Sequence, residues 1–115
     1  MSTMLVVGRI VGLAGRAAEL RAMLAGHARD VREEPGCVGY EVAELLGEEP
    51  ATFLMVQTWA SGESMRAHFA TPAHASYQHE VGELLARPSE VVIHSVESTT
   101  RPSPSTSPTD PGRFG

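Results

Sequence analysis

The sequence predicts an α+β domain of the ferredoxin-like class, βαββαβ, with a four-stranded antiparallel sheet and its helices on one face. Three observations carry that expectation. Runs rich in β-branched and apolar residues alternate with segments of helical period in the order strand, helix, strand, strand, helix, strand. The two central runs are separated only by Gly47–Ala51, a length suited to a hairpin. The strands are also apolar on both sides, and helices on one face leave the other uncovered. A second copy of the chain is the simplest cover, so a homodimer is expected whose sheets pack into a dimeric α+β barrel.

The elements follow in order. Met4–Gly12 (MLVVGRIVG) is apolar apart from Arg9 and reads as a central strand. Gly8 weakens its middle but permits tight packing or close approach of a ligand. After a Gly12–Gly15 turn, a helix is predicted over Arg16–Glu33, because Leu20, Met23, Leu24, His27, Ala28 and Val31 recur at offsets of three and four. Pro35 and Gly36 stop it. Cys37–Leu46 and Thr52–Trp59 form the hairpin, with Phe53, Met55, Gln57 and Trp59 sharing one face of the second strand. Ser61 caps a helix over Gly62–Ala70, and Thr71–Pro72 restart a second helical piece. In that piece Tyr77, Val81, Leu84 and Leu85 make the apolar stripe; His74 lies near it, while His79 and Glu80 lie outside. Glu90–Glu97 is the last strand. Residues 1–98 thus make the domain, and 99–115 read as a disordered tail rich in Ser, Thr and Pro.

Composition narrows the function. The 115 residues suit one domain with a small core. A net charge of -5, with fourteen acids against nine arginines and no lysine, offers no footprint for nucleic acid. Cys37 is the single cysteine, so no internal disulfide or thiolate metal cage forms, and the cytoplasm is the expected compartment. No apolar run is long enough to span a bilayer, and no signal peptide is expected.

The stretch Gln57–Tyr77 gathers an indole, two imidazoles and a phenol within about twenty residues. Between sheet and helices, the small residues Gly8, Gly39, Ala28 and Ala67 are expected to leave a cleft, with Trp59, Gln57, His27, His68, His74 and Tyr77 pointing inward. A lone inward histidine such as His27 is more often a hydrogen-bonded core residue than a catalyst. His68 and His74 are six apart across a proline, and no HExxH or similar spacing marks a metal site, so none is expected. There is no P-loop or dinucleotide fingerprint and no positioned partner for a serine or cysteine nucleophile. An apolar pocket with imidazoles, titrating near neutral pH, suits proton transfer without a cofactor.

The run from Trp59 through Ala67-His68 to Thr71-Pro72-Ala73-His74, with Pro35-Gly36-Cys37 and the opening strand Val7-Gly8-Arg9-Ile10, resembles the antibiotic biosynthesis monooxygenase family. The resemblance covers about Leu5–Glu97. It implies a dimeric ferredoxin-like barrel, and for some members oxidation of phenols or anthrones to quinones by O₂ with neither metal nor flavin. Where polyketide-oxidising members carry an asparagine and a tyrosine, this chain has Met55 and Met65; the common third-strand glutamate is Gln57. Haem-degrading relatives need a first-strand asparagine, and here Gly8 stands there.

Under that resemblance, His68 or His74 is the expected base with Trp59 beside them, and Trp59 and Tyr77 stack on the substrate. His27 and Gln57 orient it, and Met55, Met65 and Phe69 complete the pocket. The expected partners are a small aromatic substrate, O₂ and a second copy of the chain. A cofactor-free isomerase acting on a small hydroxy-ketone, or a non-catalytic binding domain, are the alternatives.

Overall fold

The computed structural model describes residues 2–104. Its elements are β1 (Thr3–Val11), α1 (Ala17–Val31), β2 (Cys37–Glu44), β3 (Thr52–Trp59), α2 (Gly62–Phe69), α3 (Pro72–Gly82) and β4 (Glu90–Val96). The strands form one antiparallel sheet in the order β2-β3-β1-β4. Val6 of β1 stands between Gln57 and Ile93, and Tyr40 of β2 stands opposite Gln57. This is the ferredoxin-like α+β arrangement, with the second helical segment divided at Thr71–Pro72.

Strand alternation decides what each face contains. Val6, Ile10, Tyr40, Phe53, Met55, Gln57 and Trp59 are buried, on the face the helices cover. Their neighbours Leu5, Val7, Leu54 and Val56 are only half-buried and Val92 is 53% exposed, so an apolar band runs across the opposite face. From α1, the buried Leu20, Leu24, Ala28 and Val31 pack into the same core. Each of the larger ones contributes roughly 1.5–3 kcal/mol by leaving water.

Two local stops place the functional residues. Helix α1 ends at Val31, two residues short of the Glu33 limit predicted, and the chain turns through Glu34, whose N–H reaches the Val31 carbonyl at 2.9 Å while its own carbonyl accepts from Cys37 N–H at 3.1 Å. Gly36 completes the turn at φ +81°, and a Cβ there would also collide with the Ser64 side chain. Only glycine meets both conditions. The turn carries the Glu34 carboxylate out of the helix and against α2.

At the second stop, Ser61 caps α2 by accepting from Ser64 N–H at 3.1 Å, as its sequence position predicts. Thr71 then caps α3, with Pro72 in its first turn. None of the described helices is long and apolar enough to cross a membrane. Residues 98–104 are exposed without regular secondary structure, and positions 105–115 of the predicted tail lie outside the described residues.

Candidate active site

Three helices each deliver one histidine to a common point. His27 comes from α1, His68 from the last turn of α2 and His74 from the first turn of α3. The Thr71 hydroxyl donates to the His68 carbonyl at 2.8 Å and accepts from the His74 N–H at 3.1 Å, so one side chain fixes both backbones. The rings of His68 and His74 stand 4.8 Å apart between centroids, and each is 6.3 Å from His27. Only 1% of His68 and 8% of His74 is exposed.

Neighbouring groups hold the rings in place. Nδ1 of His68 lies 2.9 Å from Glu34 Oε1, and its ring stacks on Trp59 at 4.8 Å. His27 stacks face to face on Tyr77, 3.5 Å between centroids and 3° between planes. Burial pushes the His27 pKa down to about 4, helped by His68 and then His74. His74 is lowered as well, by burial first and by His68 second. Both imidazoles are therefore neutral near pH 7. His27 Nε2, His68 Nε2 and His74 Nδ1 are buried without a hydrogen-bond partner.

On one side of this cluster opens a cleft of about 620 Å³, within the usual size for a small-molecule site. Val6, Ile10, Met55, Phe69, Val81 and Leu85 give it apolar walls; Tyr40, Gln57, His74 and Tyr77 are its inner polar groups, with Gln78, Arg87 and Ser89 as further lining. Gln57 is held rigidly. Its Oε1 accepts from Trp59 Nε1 at 2.8 Å and its Nε2 donates to Met55 Sδ at 3.1 Å. Burial raises the phenol of Tyr77 to about 12, and raises Tyr40 further with Tyr77 as the second cause. Both phenols stay protonated and can donate.

Of the residues singled out by sequence, His74, Gln57, Tyr77, Met55 and Phe69 line this cleft. Trp59 does not: it is 0% exposed, so it cannot stack on a substrate and instead holds Gln57 and backs His68. Met65 is buried in the core beneath α2. His68 sits behind His74, and His27 faces a separate depression shared with Glu34 and Glu80.

The small residues do not hollow the cleft as expected. Met55 fills the space beside Gly8, Ala28 is packed in the core, Ala67 is exposed, and Gly39 pairs with Thr58 on the opposite face. The opening arises where α3 and the segment after it pass over β1 and β4 without closing on Val91, which is 48% exposed. Tyr40, Arg87 and Ser89 were not singled out. The cross-strand pairing of Tyr40 with Gln57 was the available signal for the first of them.

Sequence spacing gives no reason to bring three histidines together, whereas the fold does: a ring nitrogen of each of His27, His68 and His74 lies within 4.8 Å of the others. They come from three helices, which spacing along one element cannot reveal.

Known proteins share this fold. The family model for antibiotic biosynthesis monooxygenase matches residues 3–80. An uncharacterized protein of Synechocystis, sll1783, is 32% identical over 68 residues, 59% of this chain and 46% of its own length, so the chain spans just under half of that relative. Rv0793 of Mycobacterium tuberculosis, provisionally named as a monooxygenase, is 27% identical over 92 residues, covering 80% of this chain and 89% of its own. Its solved structure superposes with a TM-score of 0.78 at 25% identity, over 87% of this chain and all of that one. A variant of SnoaB, a cofactor-independent oxygenase from Streptomyces nogalater, has the same fold at a TM-score of 0.75 and 17% identity, over 86% and 97% of the two chains.

Proposed function

The chain belongs to the antibiotic biosynthesis monooxygenase family, and from that premise we propose that its cleft binds an electron-rich phenolic or anthrone-like aromatic and oxidises it to a quinone with O₂, without metal or flavin. The observation that carries this reading is His74: a neutral imidazole on the wall of a mainly apolar cleft. SnoaB, a cofactor-independent oxygenase on the same fold, supports it.

The chemistry balances without an added reductant. His74 takes a proton from the bound aromatic, and the electron-rich anion passes one electron to O₂. The radical pair combines at carbon, and the resulting hydroperoxide loses water to leave a carbonyl. A CH₂ group becomes C=O, one oxygen atom enters the product and the other leaves as water. Proton transfer from a phenol of pKa about 10 to an ordinary imidazole of about 6.5 is uphill by some 5 kcal/mol, and burial of His74 adds to that. That lies well inside the ~16 kcal/mol barrier of a reaction turning over at about ten per second.

The remaining lining suits the same task. Tyr77, held protonated by burial and backed by Tyr40, donates a hydrogen bond to developing negative charge on the substrate oxygen. Gln57, pinned by Trp59 and Met55, has no freedom to turn and fixes the orientation of a polar substituent. His68 is a positioning residue: it backs His74 and is oriented by Glu34. The apolar band on the open sheet face supports burial against a second copy of the chain, and a monomer at micromolar concentration in sedimentation would contradict that part.

Replacing His74 with Ala tests the catalytic assignment. Turnover of a dihydroxyanthrone probe should fall about 10²-fold or more, with KM changed far less. A folded variant that keeps the parent rate removes His74 from the role of base.

A further inference from the structure

We propose that His27, His68 and His74 form a binding site for one divalent transition-metal ion of the zinc class, held at the junction of the three helices. One ring nitrogen from each lies within 4.8 Å of the other two. Each ring also presents a buried nitrogen with no hydrogen-bond partner: His27 Nε2, His68 Nε2 and His74 Nδ1. Leaving a buried polar atom unpaired is costly, and three in one place is unusual for a packed interior. A single cation satisfies all of them.

The geometry is close to what an ion requires. The centre of a triangle with sides of at most 4.8 Å lies no more than roughly 2.8 Å from each corner, against about 2.0–2.1 Å for a zinc–imidazole bond. Each ring must therefore advance by under about an ångström. Stacking of His27 on Tyr77 and of His68 on Trp59 restrains tilting, but allows sliding within the ring plane, which is where the nitrogen lone pair points.

The surroundings have the features of a ligand shell. Glu34 Oε1 lies 2.9 Å from His68 Nδ1; a carboxylate accepts, so Nδ1 carries a proton and Nε2 is the nitrogen offered to a metal. A carboxylate behind a histidine ligand is the usual outer partner of a zinc site. Three imidazoles without thiolate or further carboxylate select zinc, cobalt, nickel, copper or ferrous iron over magnesium or calcium. Three protein ligands leave a fourth position for water.

This goes beyond the oxidation proposed above and does not rest on it. An ion bound to His74 uses the imidazole that the oxidation needs, so the oxidation belongs to the metal-free form and zinc lowers turnover.

The test is cobalt titration of the untagged, chelator-stripped full chain. The expected result is saturable uptake of one Co²⁺ per chain, with the intense visible absorption of a four-coordinate nitrogen site, displaced by Zn²⁺. Glu34→Gln should weaken binding about 10- to 100-fold while the far-UV spectrum is unchanged. His27→Gln, whose ring lies off the cleft, should abolish the visible bands. His79→Ala and His94→Ala, at exposed positions, should leave the titration intact. Absence of visible bands in the folded parent overturns the proposal, as does loss of binding in the exposed-histidine variants or its survival in His27→Gln. Every readout is optical, so the outcome is separate from whether the cleft oxidises an aromatic.

Discussion

Acidifying the metal-free protein should weaken its fold over the pH range in which His27 refuses a proton. Burial holds that imidazole at about 4, against 6.5 for an ordinary histidine. Between those values the unfolded chain binds a proton that the folded chain does not, so stability falls as pH drops from about 6.5 toward 4. With those two values, and discounting for the partial exposure of the ring, His27 contributes about 0.2 kcal/mol of destabilisation at pH 7 and about 1–2 kcal/mol at pH 5. His74 is shifted in the same direction and adds to the loss. The exposed carboxylates Glu19 and Glu44, lowered by Arg16 and Arg21, act below the ordinary carboxylate range and leave this window to the histidines.

Urea denaturation in the presence of chelator at pH 7 and pH 5 measures the effect. A loss of roughly 1–2 kcal/mol corresponds to a midpoint lower by about 0.5–1 M at the slopes usual for small domains. His27→Gln keeps a polar side chain but cannot titrate, so its loss between the two pH values should be smaller by about that amount. If parent and variant weaken equally, His27 is not held neutral by burial and the account of the cluster's electrostatics is wrong.

Thr71→Val keeps the shape of the cap but removes both hydrogen bonds that tie His68 to His74. It should cost about 1–2 kcal/mol, lowering Tm by roughly 4–8 °C, and reduce kcat more than KM; unchanged kcat in a folded variant would contradict the positioning role. Trp59→Phe retains a ring against His68 but frees Gln57 Oε1, which is buried. It should destabilise by about 1–3 kcal/mol and raise KM through a loosened amide, measured by thermal melts and steady-state kinetics. An unaltered KM would show that Gln57 does not orient the substrate.

The fold was legible because each strand carries its own alternation and each helix its own stop. Ser61 and Thr71–Pro72 mark the helix starts, and Gly36 ends the turn after α1. The site was legible in part. Alternation correctly put Met55, Gln57 and Trp59 on one face, but a face is not a depth. Trp59 lies at the strand's end and is sealed in the core, while Met55 and Gln57 reach the cleft. Inward-pointing His27 was likewise visible in the helical period, but not that it turns toward Tyr77 and away from the cleft. Its meeting with His68 and His74 depends on how three helices pack, which local pattern does not encode. Arg87 and Ser89 enter through a segment whose path is set by the tertiary bridge between Gly12 and Leu85.

Oxygen uptake by the chelator-treated protein, given a dihydroxyanthrone and isotopically labelled O₂, decides whether the cleft is an oxygenase site. One O₂ should be consumed per anthrone in a protein-dependent reaction, with one labelled oxygen atom in the quinone product. No uptake above the spontaneous rate by folded protein, or a product carrying oxygen from water alone, would contradict it.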